Sequence, residues 1–321
     1  MRRVKLALSF FLAVGEVTIF FSLNHFKPNV EPYFNEGMIL FKRSKDLRSF
    51  LHIREQKKVS TGFVPTMGAL HEGHLSLIAQ SRLKTDITIC SIFVNPIQFN
   101  NKDDFKKYPS TLEKDILSLE ESGCDVLFLP SENEIYPDAD STSKHFELGY
   151  LEKILEGKLR PGHFQGVCLV VEKLLDVIDP SLLVLGQKDY QQCLVIKKLV
   201  EMMHTGTKIL ICPVLREANG LAMSSRNLRL NDKEKNVASG LYKTLEYIKK
   251  NLAQGNFSYL KKEAILQLEH AGFTIDYLEL AKSETLEIVQ DYSTDADYII
   301  VVAAFLNDIR LIDNVFITGQ C

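Results

Sequence analysis

The chain has 321 residues, with 38 Lys and Arg against 41 Asp and Glu, for a formal net charge of −3. At about 100–200 residues per domain this length suggests two domains, and a content of 45% hydrophobic and 25% charged residues is that of a globular protein that buries a core without metal or disulfide staples. The near-neutral balance supplies no field to hold a polyanion, so nucleic-acid binding is not expected, while a small charged substrate in a local basic site is compatible with it. The six cysteines include no C-x-x-C pair and no zinc spacing. Cys90 and Cys212 lie in apolar runs, so the set reads as reduced, mostly buried thiols.

Residues 1–37 form an extension. Arg2, Arg3 and Lys5 precede an apolar stretch from Leu6 to Leu23, the pattern of a signal peptide or anchor. Glu16 interrupts it, and a charge at the centre of a membrane span costs about 2.5–3.5 kcal/mol on insertion scales. No convincing small-residue cleavage site follows. The extension reads either as an over-extended start or as a targeting segment, and membrane association is not expected. Met38 opens the globular part.

From residue 38 apolar runs alternate with helical periodicity, the rhythm of a parallel sheet with helices on both faces. The expected elements are a strand over Gly62–Thr66, a helix over His74–Arg82, a strand over Asp86–Val94, a helix over Leu112–Glu121 and a strand over Asp125–Leu129. They continue with a helix over Gln165–Val177 stopped by Pro180, a strand over Leu182–Leu185, a helix over Tyr190–Met203 and a strand over Lys208–Val214. The texture then changes. Helices over Asp232–Asn251 and Tyr259–Ala271 are followed by strands over Phe273–Leu280, Tyr298–Phe305 and Arg310–Ile317, which suggests a smaller α+β unit. The expected division is 38–213 and 214–321.

Several segments carry candidate chemistry. Met67-Gly68-Ala69-Leu70-His71-Glu72-Gly73-His74 joins the first strand to its helix, where parallel α/β sheets bind ligands. Its glycines permit close backbone approach, and a helix N-terminus offers N–H groups to phosphate. Two histidines there can donate to a triphosphate and to the charge that develops as pyrophosphate leaves. The alternatives are a zinc pair or surface histidines. Helical zinc pairs are spaced by four, whereas His71 and His74 are spaced by three, with no third ligand evident. The dinucleotide and P-loop glycine patterns are both missing.

The segment Leu215–Asn227 contains Met223, Ser224, Ser225 and Arg226, hydroxyls and a guanidinium suited to a flap over triphosphate, although alone it reads equally as a solvated turn. Gly186-Gln187-Lys188-Asp189 precedes Gln192; Lys188 can neutralise phosphate and Asp189 can accept from a ribose hydroxyl or simply cap a helix. Asn95 and Gln98, in FVNPIQF, are neutral amides, and they suit a substrate whose carboxylate must stay nucleophilic rather than be stabilised by a salt bridge. The segment Leu155–Phe164, with Arg160 and His163, reads as a basic cover over an anionic site or as an exposed connector.

Taken in order, PTMGALHEGHLSLI, FVNPIQF, LRPGHFQGV, GQKDYQQ, REANGLAMSSRNLRL and RLIDN closely resemble the pantoate–β-alanine ligase family, the pantothenate synthetases, from about Met38 to Ile317. The resemblance implies a Rossmann-like parallel-sheet domain of the HIGH-type nucleotidyltransferase superfamily, followed by a smaller α+β C-terminal domain. It implies a cytoplasmic homodimer that uses ATP with magnesium to turn pantoate into pantoyl adenylate, which β-alanine then attacks to give pantothenate and AMP. Carried over by motif, Met67, Gly68, Ala69, Leu70, His71, Glu72, Gly73 and His74 contact ATP, with His74 as proton donor. Gly186, Gln187, Lys188 and Asp189 also bind ATP, as do Leu215, Met223, Ser224, Ser225 and Arg226. Gln98 touches pantoate and β-alanine, and Gln192 touches pantoate. No residue is identified as the base that deprotonates β-alanine. Asn219 stands where the family pattern leads one to expect Asp, and the N-terminal extension has no counterpart in that pattern.

Two rival activities fit less well. A nucleotidyltransferase acting on a phosphorylated small molecule would want cations where Gln98 and Gln192 stand, and a tRNA synthetase would need room for an anticodon domain. A catalytically inactive nucleotide-binding relative is the third alternative, opposed by the intact His71, His74, Lys188 and Arg226.

Overall fold

A computed structural model describes residues 10–14, 17–21, 37–100, 102–294 and 296–317, the first two segments by backbone only. The N-terminal part runs β1 (Phe10–Val14), β2 (Val17–Phe21), β3 (Ile39–Phe41), α1 (Ser44–Glu55), β4 (Thr61–Thr66), α2 (Glu72–Lys84) and β5 (Ile87–Ile92). It continues through α3 (Lys102–Lys106), α4 (Leu112–Glu121), β6 (Val126–Phe128), α5 (Glu132–Ile135), α6 (Leu155–Leu159), α7 (His163–Ile178), β7 (Leu182–Gly186), α8 (Tyr190–Met203) and β8 (Lys208–Cys212). The remainder comprises α9 (Asp232–Ala238), α10 (Gly240–Asn251), α11 (Phe257–His270), β9 (Phe273–Lys282), β10 (Ile288–Val289), β11 (Tyr298–Leu306) and β12 (Ile309–Ile317).

The first sheet has the order β1-β2-β3-β6-β5-β4-β7-β8. From β3 to β8 every pairing is parallel, and the β1–β2 hairpin adds to the β3 edge antiparallel. The central parallel strands β4, β5, β6 and β7 are buried on both faces, so their side chains alternate between two cores. Phe63, Ile89, Val126, Phe128, Leu183 and Leu185 join the core shared with α1, α7 and α8. Val64, Cys90, Leu127 and Val184 join the one shared with α2 and α4. From β4 the chain builds β5 and β6 to one side and then crosses back to place β7 and β8 on the other. The switch of direction lies between β4 and β7, the position where open α/β sheets leave a crevice at the strands' C-terminal ends.

The second sheet is antiparallel, in the order β10-β9-β11-β12. Strand β11 also alternates: Tyr298, Ile300 and Val302 pack beneath α10 and α11, while Ile299 and Val301 pack on Leu155, Tyr190 and Leu194 of the first sheet's helical layer. Neither face of this sheet is left to solvent.

The expected strands and long helices are found within a few residues. Helix α2 starts at Glu72 rather than His74 because His71 caps it. The single helix expected over Asp232–Asn251 is two, α9 and α10. The break falls at Ser239, whose hydroxyl donates to the Asn236 carbonyl, beside a glycine that weakens helix continuation. Strand β3 and helix α1 were not anticipated, because α1 buries only the thin stripe of Leu47 and Leu51. Within the 1–37 extension, FFLAV and VTIFF form β1 and β2, as their aromatic and β-branched content favours; the rest of residues 1–36 lies outside the described residues. Cys90, Cys124, Cys168, Cys193 and Cys212 are free and buried, with burial pushing the thiols of Cys90 and Cys168 up to about 12. Among the described residues no helix is long and apolar enough to cross a membrane.

Candidate active site

The turn after β4 and the turn after β7 flank the switch-point crevice. The turns after β5 and β8 and the loop 223–226 close around it, enclosing a cavity of about 230 Å³. Met67, His71, Gly73, His74, Gln98, Gly186, Gln187, Lys188, Asp189, Gln192, Leu215, Met223, Ser224, Ser225 and Arg226 all line it. The histidine turn and the Ser-Ser-Arg loop, about 150 residues apart in sequence, thus face one space.

Accounting for hydrogen bonds fixes what each group still offers. His71 Nδ1 accepts from the Gly73 N–H at 3.1 Å, and His74 Nδ1 accepts from the His71 N–H at 3.4 Å, the reciprocal capping arrangement. A ring whose Nδ1 accepts carries its proton on Nε2 when neutral. Burial, then His74 and Lys188, push the His71 pKa down to about 3, and burial and Lys188 push that of His74 down to about 4. Both rings are therefore neutral at pH 7, tilted by 33° with centroids 4.0 Å apart, and each has one Nε2–H to donate. A Cβ on Gly73 would lie 2.8 Å from the His71 ring, so only glycine permits that ring to fold back.

The backbone of the same turn is already occupied. Gly68 N–H donates to Thr66 Oγ1 at 3.2 Å, and the Ala69 and Leu70 N–H groups donate to the two oxygens of Asp115 at 2.8 Å each. Of the turn residues that the resemblance assigns to ATP, Gly68, Ala69 and Leu70 are buried beneath the turn with these amides engaged internally, and Glu72 is exposed and outside the cavity lining.

The loop serines divide. Ser225 O–H donates to the Ala69 carbonyl at 2.9 Å, which leaves its oxygen as an acceptor only. Ser224 Oγ accepts from the Arg226 N–H at 3.2 Å and keeps its own proton to donate. Arg226 donates to Asp104 of α3 at 2.8 Å, so its guanidinium has an internal carboxylate partner in this state. Lys188 Nζ lies 3.4 Å from Asp189, and Asn314 of β12 holds their turn by accepting from Gln187 and donating to the Gln187 and Lys188 carbonyls at 3.0 Å.

Asn95 is fully buried and does not line the cavity. Its amide donates to Gly166 O at 2.9 Å and Gln98 Oε1 at 3.3 Å, and its oxygen accepts from Tyr136 and Ile97. Every group it has is engaged, so it sets Gln98 rather than reaching the cavity. His163 Nδ1 lies 2.8 Å from the Gln98 carbonyl, an acceptor, so that nitrogen carries the proton. Burial and Arg160 push the His163 pKa down to about 4.

Residues that the sequence reading did not assign also line the cavity, among them Phe99, Tyr108, Arg160, His163 and the apolar wall Val167, Val170 and Val171. Arg160 and His163 were visible as a basic loop; Tyr108 and the valines carried no motif. Asn219 accepts from the Leu221 N–H and donates to the Lys235 carbonyl, a donation that Asp could not make. Among the described residues no cluster of three His, Cys, Asp or Glu side chains could hold a metal ion.

A family model described as pantoate-β-alanine ligase matches residues 39–316. A pantothenate synthetase of Cytophaga hutchinsonii is 42% identical over 289 residues, which cover 87% of this chain and 99% of the relative. Among solved structures the chain is similar to pantothenate synthetase from Thermus thermophilus, at 36% identity and a TM-score of 0.78 over 87% of this chain and 99% of the other. It is also similar to pantoate-β-alanine ligase from Francisella tularensis complexed with β-γ ATP and β-alanine, at 39% identity and a TM-score of 0.72 over 87% and 97%. With matches of this extent and one cavity gathering the motif residues, the chain belongs to the pantoate–β-alanine ligase family.

Proposed function

We propose that the chain condenses pantoate with β-alanine in two steps within the switch-point cavity. A pantoate carboxylate oxygen attacks the α-phosphorus of ATP; the P–O bond to pyrophosphate breaks, and pantoyl adenylate remains. The β-alanine amine then attacks the acyl carbon, the C–O bond to AMP breaks, and pantothenate is released. The first step needs no base because pantoate arrives ionised. What it needs is donors where negative charge grows. The free Nε2–H groups of His71 and His74, Lys188, the Ser224 hydroxyl and, once released from Asp104, Arg226 are suited to that task. Because its ring is neutral, His74 acts as a hydrogen-bond donor before any proton moves. Ser225 acts through Ala69 instead. Gln98 and Gln192 present neutral amides to pantoate, and Gln98 also to β-alanine, which leaves the carboxylate reactive. Leu215 and Met223 form apolar wall for the nucleotide.

Magnesium fits this donor set as an ion carried by the triphosphate, since such ions take one or two protein carboxylates at most and keep phosphate and water ligands; Asp189 at the cavity wall is the carboxylate placed to meet it. The ion would neutralise triphosphate charge. We read 38–213 as the catalytic domain and 214–321 as the lid-bearing domain, in a cytoplasmic homodimer as the family resemblance implies.

The convergence of His71, His74 and Lys188 with Ser224 and Arg226 around one cavity supports this reading most directly. Its test is pyrophosphate release from ATP with pantoate present and β-alanine absent. Release is expected for the unaltered chain, with a loss of roughly a hundredfold or more in His74→Ala, the scale for removing one such donor. Pantoate-independent release, or near-normal release by the variant, contradicts it.

A further inference from the structure

We propose that Asp115 is a positioning residue for adenylate formation: an internal carboxylate that fills the anion-binding hollow of the histidine turn and thereby aims both imidazoles. The proposal deepens the ligase reading and rests on it. Gly68 and Ala69 have positive φ, 76° and 49°, and the alanine adopts a left-handed conformation that residues with a Cβ hold only when their surroundings enforce it. Backbone bent in this way turns successive N–H groups toward one point, a concavity that takes an anion. In many nucleotide sites that anion is phosphate. Here the chain supplies it. Asp115, on α4 and 1% exposed, accepts from Ala69 N–H through Oδ2 and from Leu70 N–H through Oδ1, and Thr111 Oγ1 anchors Oδ1 at 3.0 Å.

The peptide unit between Ala69 and Leu70 is held at both ends: its N–H by Asp115, its carbonyl by the Ser225 hydroxyl. The next residue is His71, which caps α2 and shares its capping bonds with His74. Rotating that peptide would therefore move both rings and detach the Ser-Ser-Arg loop together. Asp115 does not line the cavity, so it acts through the turn and not on the nucleotide.

Asp115→Asn is isosteric but can accept on one side only, so one of the two N–H donors would face another donor. The KM for ATP is expected to rise, and kcat for pyrophosphate release to fall, by about tenfold or more, the scale of one buried donor left unpaired. The KM for pantoate should change several-fold less than that for ATP, because Gln98 is held mainly by Asn95, His163 and Gly166 and meets the turn only through its amide bond to Met67 Sδ. That substrate-selective shift is the readout a merely structural role would not give. Unchanged ATP constants, or a loss of kcat with every KM at its original value, overturn the proposal. Should Asp115→Asn not fold, Thr111→Val decides: a rise of about twofold or more in the ATP KM supports the clamp, and no change overturns it. Equilibrium binding of ATP to the unaltered chain and the variant separates this from the parent reading. If the unaltered chain binds ATP but releases no pyrophosphate with pantoate, the ligase reading fails, and the ratio of the two affinities still judges the clamp.

Discussion

The same side-chain type performs different work here according to which of its atoms the fold has already engaged. His71 and His74 use Nδ1 internally and keep an Nε2–H; His163 uses Nδ1 as a donor to Gln98 and keeps a lone pair. All three have pKa values depressed by burial to about 3, 4 and 4, below an unfolded value near 6.5. Between that value and the folded values the unfolded chain binds protons that the folded chain refuses, so stability falls as pH drops through this window and is insensitive to these groups above it. Denaturant unfolding at a series of pH values should show that slope below about pH 6.5, with ATP affinity unaffected by histidine titration between neutral pH and about 5.5. A stability maximum displaced toward pH 4 would contradict neutral buried imidazoles. Asn95 and Gln98 make the same point: two neutral amides three residues apart, one wholly engaged and one facing the cavity.

At the scale of elements, the Gln98 side of the cavity, where the proposed reading places pantoate, depends on how closely α7 meets the turn after β5. A Cβ on Gly166 would lie 2.8 Å from both the N and Cα of Gln98, rigid backbone atoms that cannot step aside. Together with the Gly166 carbonyl accepting from Asn95, this makes the glycine a spacer that sets the depth of Gln98. Gly166→Ala is expected to push the turn from the helix at an overpacking cost of about 1–3 kcal/mol. Steady-state kinetics should show the KM for pantoate raised with the KM for ATP little changed, the opposite selectivity to Asp115→Asn. Equal changes in both would mean that the two halves of the cavity are not set independently.

Across the whole molecule, two classes of contact join the N- and C-terminal halves. Arg310 binds buried Glu156 through two hydrogen bonds of 2.7 and 2.8 Å and Asp276 through a third, with Tyr277 donating to Glu156. Asn314 of β12 adds hydrogen bonds to Gln187 and to the Gln187 and Lys188 carbonyls, and within the C-terminal half Arg216 binds the adjacent buried Asp313. Breaking such buried pairs leaves an uncompensated charge, so movement of the whole C-terminal half as a rigid lid is opposed, and closure falls to the loop carrying Ser224 and Arg226. The Arg226–Asp104 pair is of the other class, with side chains 26% and 28% exposed, and such pairs contribute about 0–1 kcal/mol. On the proposed reading, triphosphate takes Arg226 from Asp104. Asp104→Asn is therefore expected to lower the KM for ATP several-fold by the order of one such pair while leaving the melting temperature nearly unchanged. An unchanged or raised KM would show that Asp104 does not compete with the nucleotide.

The alternating β-α rhythm, the strand-end positions of the motifs and the residue types at His71, His74, Lys188 and Arg226 were legible in the sequence, because periodicity and residue type are local properties. So were most long elements, from α4 to β12. Tertiary structure alone decided which hydrogen-bonding groups remained free. Asp115 lies about 45 positions from the turn it clamps and belongs to no motif. Ser225 is the equal of Ser224 by residue type, but its hydroxyl donates to the Ala69 carbonyl; Asn95 is the equal of Gln98 by type, but its groups are taken by α7 and Tyr136. A side chain's chemical capacity is written in its identity, but what it still has to offer a substrate depends on neighbours that only the folded chain brings within hydrogen-bonding distance.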